Sequence, residues 1–365
     1  MTDLLYSEVE EQLRSSVRDL LTDRAPAAAV LARTETEELY DPALWHALAV
    51  DFGTAGLAVP ESAGGQGASW RETAIVAEEL GRSVAATPFL GSTVLATALV
   101  IAAGEKDLVR RLATGEVTAT VAVPLSTAPG SAMPATVRHS DGTLSGTVRN
   151  VIDARMADLL IVPALSGDEP ALFAVDADEV GRAAVVSLDP TRPLTDVTFD
   201  YAHGELIASG ADAVAAFDTA LVTGAAMLAA EQLGLAQRCL ELTVEHLLTR
   251  YQFGRQIGSY QALKHRMADL WAGITQARAV ARYAVTCVAD DDPDVAVAAS
   301  LAQAYCSLVA VKAAEECVQL HGGTGFTWEH PAHLYLKRAK ADAITLGTAG
   351  QHRAHLGDLV NLPAA

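Results

Sequence analysis

The sequence predicts an α+β protein in three parts: a helical N-terminal domain over 1–115, a middle antiparallel β domain, a small barrel or sandwich, over 116–208, and a C-terminal four-helix bundle over 209–365. Three observations predict it. Apolar residues recur at helical spacing in the first and last parts, short β-branched runs fill the middle, and 365 residues exceed the span of one ordinary core.

In the first part Val9, Leu13, Val17, Leu20 and Leu21 lie on one helical face, and Leu44 and Leu48 lie on another with Trp45 adjoining. Turns are expected at Asp51-Phe52-Gly53, at 60–67 and at Thr87-Pro88, where Gly and Pro permit or force them. Ser69, with Glu72 three residues on, predicts a capping box at the start of the next helix. The middle part carries β-branched runs at 118–123, 143–151, 159–162, 171–175, 184–188 and 197–199. No helical pattern of ten or more residues separates them, which excludes βαβ units and a dinucleotide-binding doubly wound sheet. The last part holds four helical segments, 212–248, 258–288, 294–320 and 331–357, broken at Phe253-Gly254, at 290–293 and at Gly322-Gly323.

Composition narrows the function. Half the residues are apolar, which excludes general disorder, and 26 Lys+Arg against 45 Asp+Glu give a net charge of -19. That field repels nucleic acid and anionic lipid, so any anionic ligand requires a local basic pocket. Cys239, Cys287, Cys306 and Cys317 show no metal-ligand spacing and read as buried free thiols; no metal is expected. The N-terminal residues lack a signal-peptide pattern and no uncharged apolar run reaches about 20 residues, so a cytoplasmic protein without a membrane span is expected.

Two segments carry candidate chemistry. Arg250-Tyr251-Gln252-Phe253-Gly254-Arg255-Gln256-Ile257-Gly258, followed by Gln261, reads either as an inter-helix loop or as a pyrophosphate site, in which guanidiniums beside a glycine turn precede a helix N-terminus. Gln319-Leu320-His321-Gly322-Gly323-Thr324-Gly325 reads either as a glycine helix cap or as a place where backbone approaches a flat or phosphorylated ligand, with Gln319 as an amide arm.

Together with Leu57-Ala58-Val59-Pro60-Glu61-Ser62-Ala63-Gly64-Gly65 and Glu78-Glu79-Leu80-Gly81, these segments resemble the acyl-CoA dehydrogenase family over nearly the whole chain. The resemblance implies the fold of that family, with a middle β-barrel, and a tetramer with FAD lying across a subunit interface. By it, Arg250, Gln252 and Phe253, with Gln261 nearby, meet the FAD held by a neighbouring subunit; Gln319, Gly322 and Gly323 approach the pyrophosphate and adenosine side; and Thr348 occupies a further flavin-contacting position. The implied reaction is α,β-dehydrogenation of an acyl-CoA thioester: a carboxylate takes the α proton and the β hydrogen leaves as hydride. Electron delivery to an electron-transferring flavoprotein is implied as well.

The chain departs from the family where that carboxylate belongs. The commonest base position falls on Leu346 in Thr345-Leu346-Gly347-Thr348, and the second, nine residues before Leu233-Gly234-Leu235, falls on Gly224. Glu231 is the substitute to weigh, two turns along the same helix face but about 10 Å from Gly224. The family's flavin-covering loop is replaced by 124–130, with Ser126 and Thr127 as weak candidates, and its tryptophan-bearing strand by Asn150-Val151-Ile152-Asp153. The first expectation is therefore a base-lacking subunit that works beside a related, base-carrying chain in a mixed tetramer. The alternatives are a self-sufficient homotetramer with a relocated base, a flavin oxygenase on the same fold, or a non-catalytic scaffold.

Overall fold

The computed structural model describes residues 4–362. Helix α1 (Glu8–Arg24) begins with a capping box between Ser7 and Glu10, and α4 (Trp70–Ser83) with the expected one between Ser69 and Glu72. Between them lie α2 (Ala27–Arg33) and α3 (Pro42–His46), which Asp41 caps and which runs on as a wider π-helical turn to Asp51. A second π-helical stretch, Phe89–Ala96, leads into α5 (Thr97–Ala103), and α6 (Lys106–Ala113) closes the helical part.

Eight strands follow: β1 (Ala119–Val121), β2 (Val137–Ser140), β3 (Thr143–Ile152), β4 (Leu159–Ser166), β5 (Glu169–Asp176), β6 (Gly181–Val185), β7 (Leu194–His203) and β8 (Glu205–Ser209). They form one sheet in the order β6-β7-β3-β2-β4-β5-β8, with β1 beside β4. Leu144 and Val148 from β3, Phe173 and Val175 from β5, and Val197 and Phe199 from β7 meet in a single core, so the sheet wraps round an interior of its own. The expectation of purely antiparallel strands is corrected: β4 runs parallel to both β1 and β2, a pairing no local pattern specifies.

The bundle comprises α7 (Gly210–Thr249), α8 (Gln261–Ala289), α9 (Val295–Leu320), and a fourth member that the structure divides into α10 (Ala332–Asp342) and α11 (Ala349–Leu359). The division replaces the continuous 331–357 segment of the sequence reading; Leu346 at φ 55° and Gly347 at φ 103° turn the chain out of the helix between the two. Helices α7 and α9 are long and apolar enough to cross a membrane, yet 78% of the most apolar window of α7 is buried in the bundle, where that composition serves as core.

The N-terminal helices and the bundle share one continuous core, which takes in Val121, Ile152, Ile161 and Leu172 from the sheet, while a second core belongs to the sheet alone. The reason is the α4–α7 crossing. A Cβ on Gly234 would run into the Glu78 carbonyl, and one on Gly81 into the Glu231 carbonyl, so these glycines let two backbones touch. All four cysteines are buried and free, as expected.

Candidate active site

Helix α7 and the α10–α11 break bring the two base positions together. A Cβ added to Gly224 would lie 2.8 Å from Leu346 Cδ1 and 2.5 Å from Leu95 Cδ2. The spot where both positions point is therefore filled by hydrocarbon from Leu346 and from the π-helical stretch before α5. Leu346 is only 1% exposed. Its amide donates to the Leu125 carbonyl at 2.8 Å, and its own carbonyl lies 2.9 Å from His352 Nε2. Burial lowers the His352 imidazole to about 4, so this ring is neutral at pH 7 and donates through Nε2 to that carbonyl.

Glu231 does not face this spot with a usable carboxylate. Its Oε1 accepts from Arg192 Nη2 at 2.5 Å and from Arg338 Nη1 at 2.6 Å, all three side chains being buried. Arg338 Nε also donates to Asp189 Oδ2 at 2.7 Å and its Nη2 to the Thr191 carbonyl at 2.7 Å, while Arg192 Nε lies 3.2 Å from Asp342 Oδ1. Burial opposes charge on Glu231, but the two guanidiniums outweigh it and hold the carboxyl below its ordinary range. Burial pushes Asp342 up to about 8, with Arg192 opposing and Glu231 adding to the rise. The network joins the loop before β7 to α7 and α10. It leaves a cavity of only about 10 Å³ among Phe89, Leu90, Asp153, Arg192, Glu231 and Arg338. A proton acceptor locked between two guanidiniums is a structural anion.

The barrel side is also rewired. Asp153, at the end of the strand that replaces the family's tryptophan strand, turns inward at φ 57°, accepting from Tyr40 Oη at 2.8 Å and the Gly91 amide at 2.9 Å. Thr127 spends its hydroxyl on the Pro124 carbonyl at 2.8 Å, and Ser126 is exposed. Ser126 and Asn150 line a cleft of about 330 Å³ together with Val186, Leu188, Lys340 and Ile344, and no aromatic ring lines it.

At the far end of the bundle the other candidates converge. Strands β9 (Tyr251–Gln252) and β10 (Arg255–Gln256) form a two-residue hairpin whose turn, Phe253 and Gly254, has φ 51° and 78°, the type I′ geometry. Phe253 is 90% exposed, and exposed Arg250 makes no ion pair among the described residues. Gln261 opens α8 after a short 3-10 turn, Ile257–Ser259, that follows the hairpin. At the end of α9, Gln319, Gly322 and Gly323 are exposed, and added Cβ atoms at the two glycines would meet open space. The His246 and His321 rings, 4.4 Å apart, join this end of α9 to the end of α7 from which Arg250 leaves. Thr348 is not part of this group. It caps α11 through Gln351, close to Thr345, whose carbonyl meets Gln303; that contact lies 16 residues before Gln319, roughly 24 Å along α9.

Exposed guanidinium, amides, an aromatic ring and open glycine backbone fit the pyrophosphate and ribose of a dinucleotide presented from outside. The barrel face and the closed Gly224–Leu346 spot do not fit a flavin ring with its substrate. Sequence reasoning missed Asp189, Arg192, Arg338 and Asp342; the only local signal was the i,i+4 spacing of Arg338 and Asp342 on α10.

Comparison with known proteins agrees with this geometry. Residues 7–116 match the family model described as acyl-CoA dehydrogenase, N-terminal domain, and 214–360 match acyl-CoA dehydrogenase, C-terminal domain. The chain is 37% identical to acyl-CoA dehydrogenase IpdE2 of Mycobacterium tuberculosis over 93% of each. It is similar to the ChsE4-ChsE5 complex of the same organism, with TM-score 0.87 and 26% identity over the whole of both chains. It is likewise similar to a variant of the steroid ACAD Tcur3481-Tcur3483, with TM-score 0.84 and 31% identity over 97% of this chain and 98% of that one.

Proposed function

We propose, on the premise that the chain belongs to the acyl-CoA dehydrogenase family of FAD-dependent oxidoreductases acting on the CH–CH bond of acyl-CoA, that it is the base-lacking subunit of a mixed tetramer. The observation that carries this reading is the hydrocarbon closure at Gly224 and Leu346, both base positions in one place and neither a carboxylate. A related chain supplies the base and the barrel. This chain lends it Arg250, Gln252, Phe253, Gln261, Gln319, Gly322 and Gly323, which would hold the pyrophosphate and adenosine side of the partner's FAD. The chemistry the cofactor supplies there is acceptance of the β hydrogen as hydride.

Arg250 neutralises phosphate charge, Phe253 covers an apolar face of the ligand, and the open glycines let α9 approach without a side chain between. Two relatives support the mixed assembly, since ChsE4-ChsE5 and Tcur3481-Tcur3483 each pair two differently named chains. The second is called a steroid ACAD, which favours a thioester on a bulky ring system as the substrate. Electron-transferring flavoprotein would be the electron acceptor, in the cytoplasm.

The test is the visible spectrum and native mass of the chain purified alone and after co-expression with a base-carrying relative. A colourless chain alone, and a flavin-bearing mixed tetramer that oxidises thioester, are expected. A yellow homotetramer with one FAD per chain and its own turnover would overturn the proposal.

A further inference from the structure

Beneath the hairpin and the glycine loop lies a cluster of nucleophilic and titratable groups outside the closed site. Cys239 on α7 and Cys317 on α9 are both fully buried. His321 Nδ1 donates to the Cys317 carbonyl at 2.6 Å and lies 3.7 Å from its Sγ. The His321 ring centroid lies 4.4 Å from that of His246, with the planes inclined at 35°, and 4.4 Å from that of His330, with the planes inclined at 45°. His246 in turn accepts the amide of Arg250 on its carbonyl at 2.9 Å, one turn before the hairpin. An unbroken set of contacts thus runs from Cys317 through His321 and His246 to Arg250, the only ring contact by which the described residues tie the two cofactor-facing segments to each other.

We infer that Cys317 and His321 are positioning residues: a sulfur–imidazole pair that, through the ring contact with His246, fixes the Gly322 loop and the Arg250 hairpin in one relative placement. The inference rests on the reading of these two segments as a cofactor contact made across a subunit interface.

The charges agree with the geometry. A hydrogen bond from Cys239, against the opposing effect of burial and with help from His321, brings the Cys317 thiol down to about 5. Burial opposes charge on His321, but the Cys317 sulfur and carbonyl outweigh it and raise the imidazole above its ordinary value. Burial and the charge of His321 lower both His246 and His330. The groups that face His321 are therefore Cys317 from its own helix, His246 with Arg250 behind it from α7, and His330 with His333 behind it from the loop and α10. The lowered thiol contributes stability that is lost as pH falls through about 5, and the raised imidazole contributes stability that is lost as pH rises through its folded value. Below the lower of those values His321 remains cationic with no anion beside it.

Ultraviolet thiolate absorbance of the full chain, titrated between about pH 4 and pH 7, and hydrogen exchange of residues 250–258 and 319–327 at the same pH values test the inference. In the wild type one thiolate is expected to titrate near 5; Cys317→Ser should abolish it and Cys239→Ala should move it upward. Protection of both segments, taken relative to the intrinsic exchange rate at each pH, should fall about tenfold, together, in Cys317→Ser and in the wild type below the midpoint, as loss of a charge-assisted contact requires. Strand β3 should be unaffected. Absence of a thiolate below neutrality, or segments that are unchanged or respond separately, would overturn it, and the wild-type titration decides even if a variant fails to fold. Neither readout uses flavin, so failure here leaves the cofactor contact standing, and loss of the cofactor contact with coupled exchange intact would remove only that reading.

Discussion

Replacing Glu231 by Gln separates a structural anion from a catalytic base. The substitution keeps the volume and one acceptor oxygen but removes the charge between Arg192 Nη2 at 2.5 Å and Arg338 Nη1 at 2.6 Å, all in a buried setting. Stranding a buried guanidinium costs about 3–5 kcal/mol when nothing compensates. Here Asp342, 3.2 Å from Arg192 and protonated at pH 7 because its carboxyl sits at about 8, can ionise instead. Ionising a carboxyl held above its ordinary range has a cost of its own, smaller once Glu231 no longer repels it, so the net loss at pH 7 should lie at or below the low end of that range, about 3 kcal/mol or less. The sign of the pH dependence follows. A carboxyl raised in the folded state confers stability that is complete below its unfolded value and lost as pH rises through the folded one, so in the wild type Asp342 lowers stability between about pH 4 and pH 8. In Glu231→Gln its folded value drops toward the ordinary range and that decline flattens. Chemical denaturation of both proteins at several pH values in this interval measures both effects. Unchanged stability, combined with loss of turnover in the mixed assembly, would refute the network account and restore Glu231 as a base.

Leu346→Glu places a carboxyl against Leu95 and Gly224. Losing the buried leucine and desolvating the acid together should cost about 3–5 kcal/mol, growing as pH rises because burial raises the new group, and no turnover should appear; two-pH denaturation with a thioester assay checks both. Arg250→Ala should leave the stability of the chain within about 0.5 kcal/mol, since the side chain is exposed and unpaired among the described residues. Flavin affinity of the mixed assembly should fall tenfold to a hundredfold, for a guanidinium–phosphate contact worth about 1.5–3 kcal/mol, and flavin release on dilution measures it.

The order of helical, β and helical parts was legible because each rests on local periodicity, and the Ser69 cap because both partners lie within one turn. Strand β2 was invisible: Val137 alone of its four residues is buried, so no alternation could form. Strand β8 failed for the same reason, with its five residues exposed or half-buried at the edge of the sheet. The break in the fourth bundle helix depends on a leucine at φ 55°, a conformation leucine avoids, held by the Leu125 carbonyl far along the chain. The ion network draws on residues near 190, 231 and 340, and their meeting is a property of the α7–α10 packing. At the candidate site, the glycine and arginine segments could be found from composition alone. That they share one end of the bundle, and that Thr348 does not, required the histidine ring contact and the length of α9.

Leu346, beside the middle of α7, and Phe253, beyond its C-terminus, differ in what they do for the chain itself. Near Gly224, Leu346 tolerates a left-handed backbone that costs about 1–2 kcal/mol and recovers it by filling the space beside Leu95, so the strained residue is explained within this molecule. In the hairpin after α7, Phe253 also adopts a left-handed backbone, yet its ring is 90% exposed and gains no burial. Glycine or asparagine would make the same turn at lower cost. This bulky aromatic, three residues after an exposed arginine that makes no ion pair among the described residues, gains no burial that offsets the cost of its turn. On the reading proposed above, an anionic ligand with a flat apolar surface, held by a neighbouring subunit, would supply both the charge and the face.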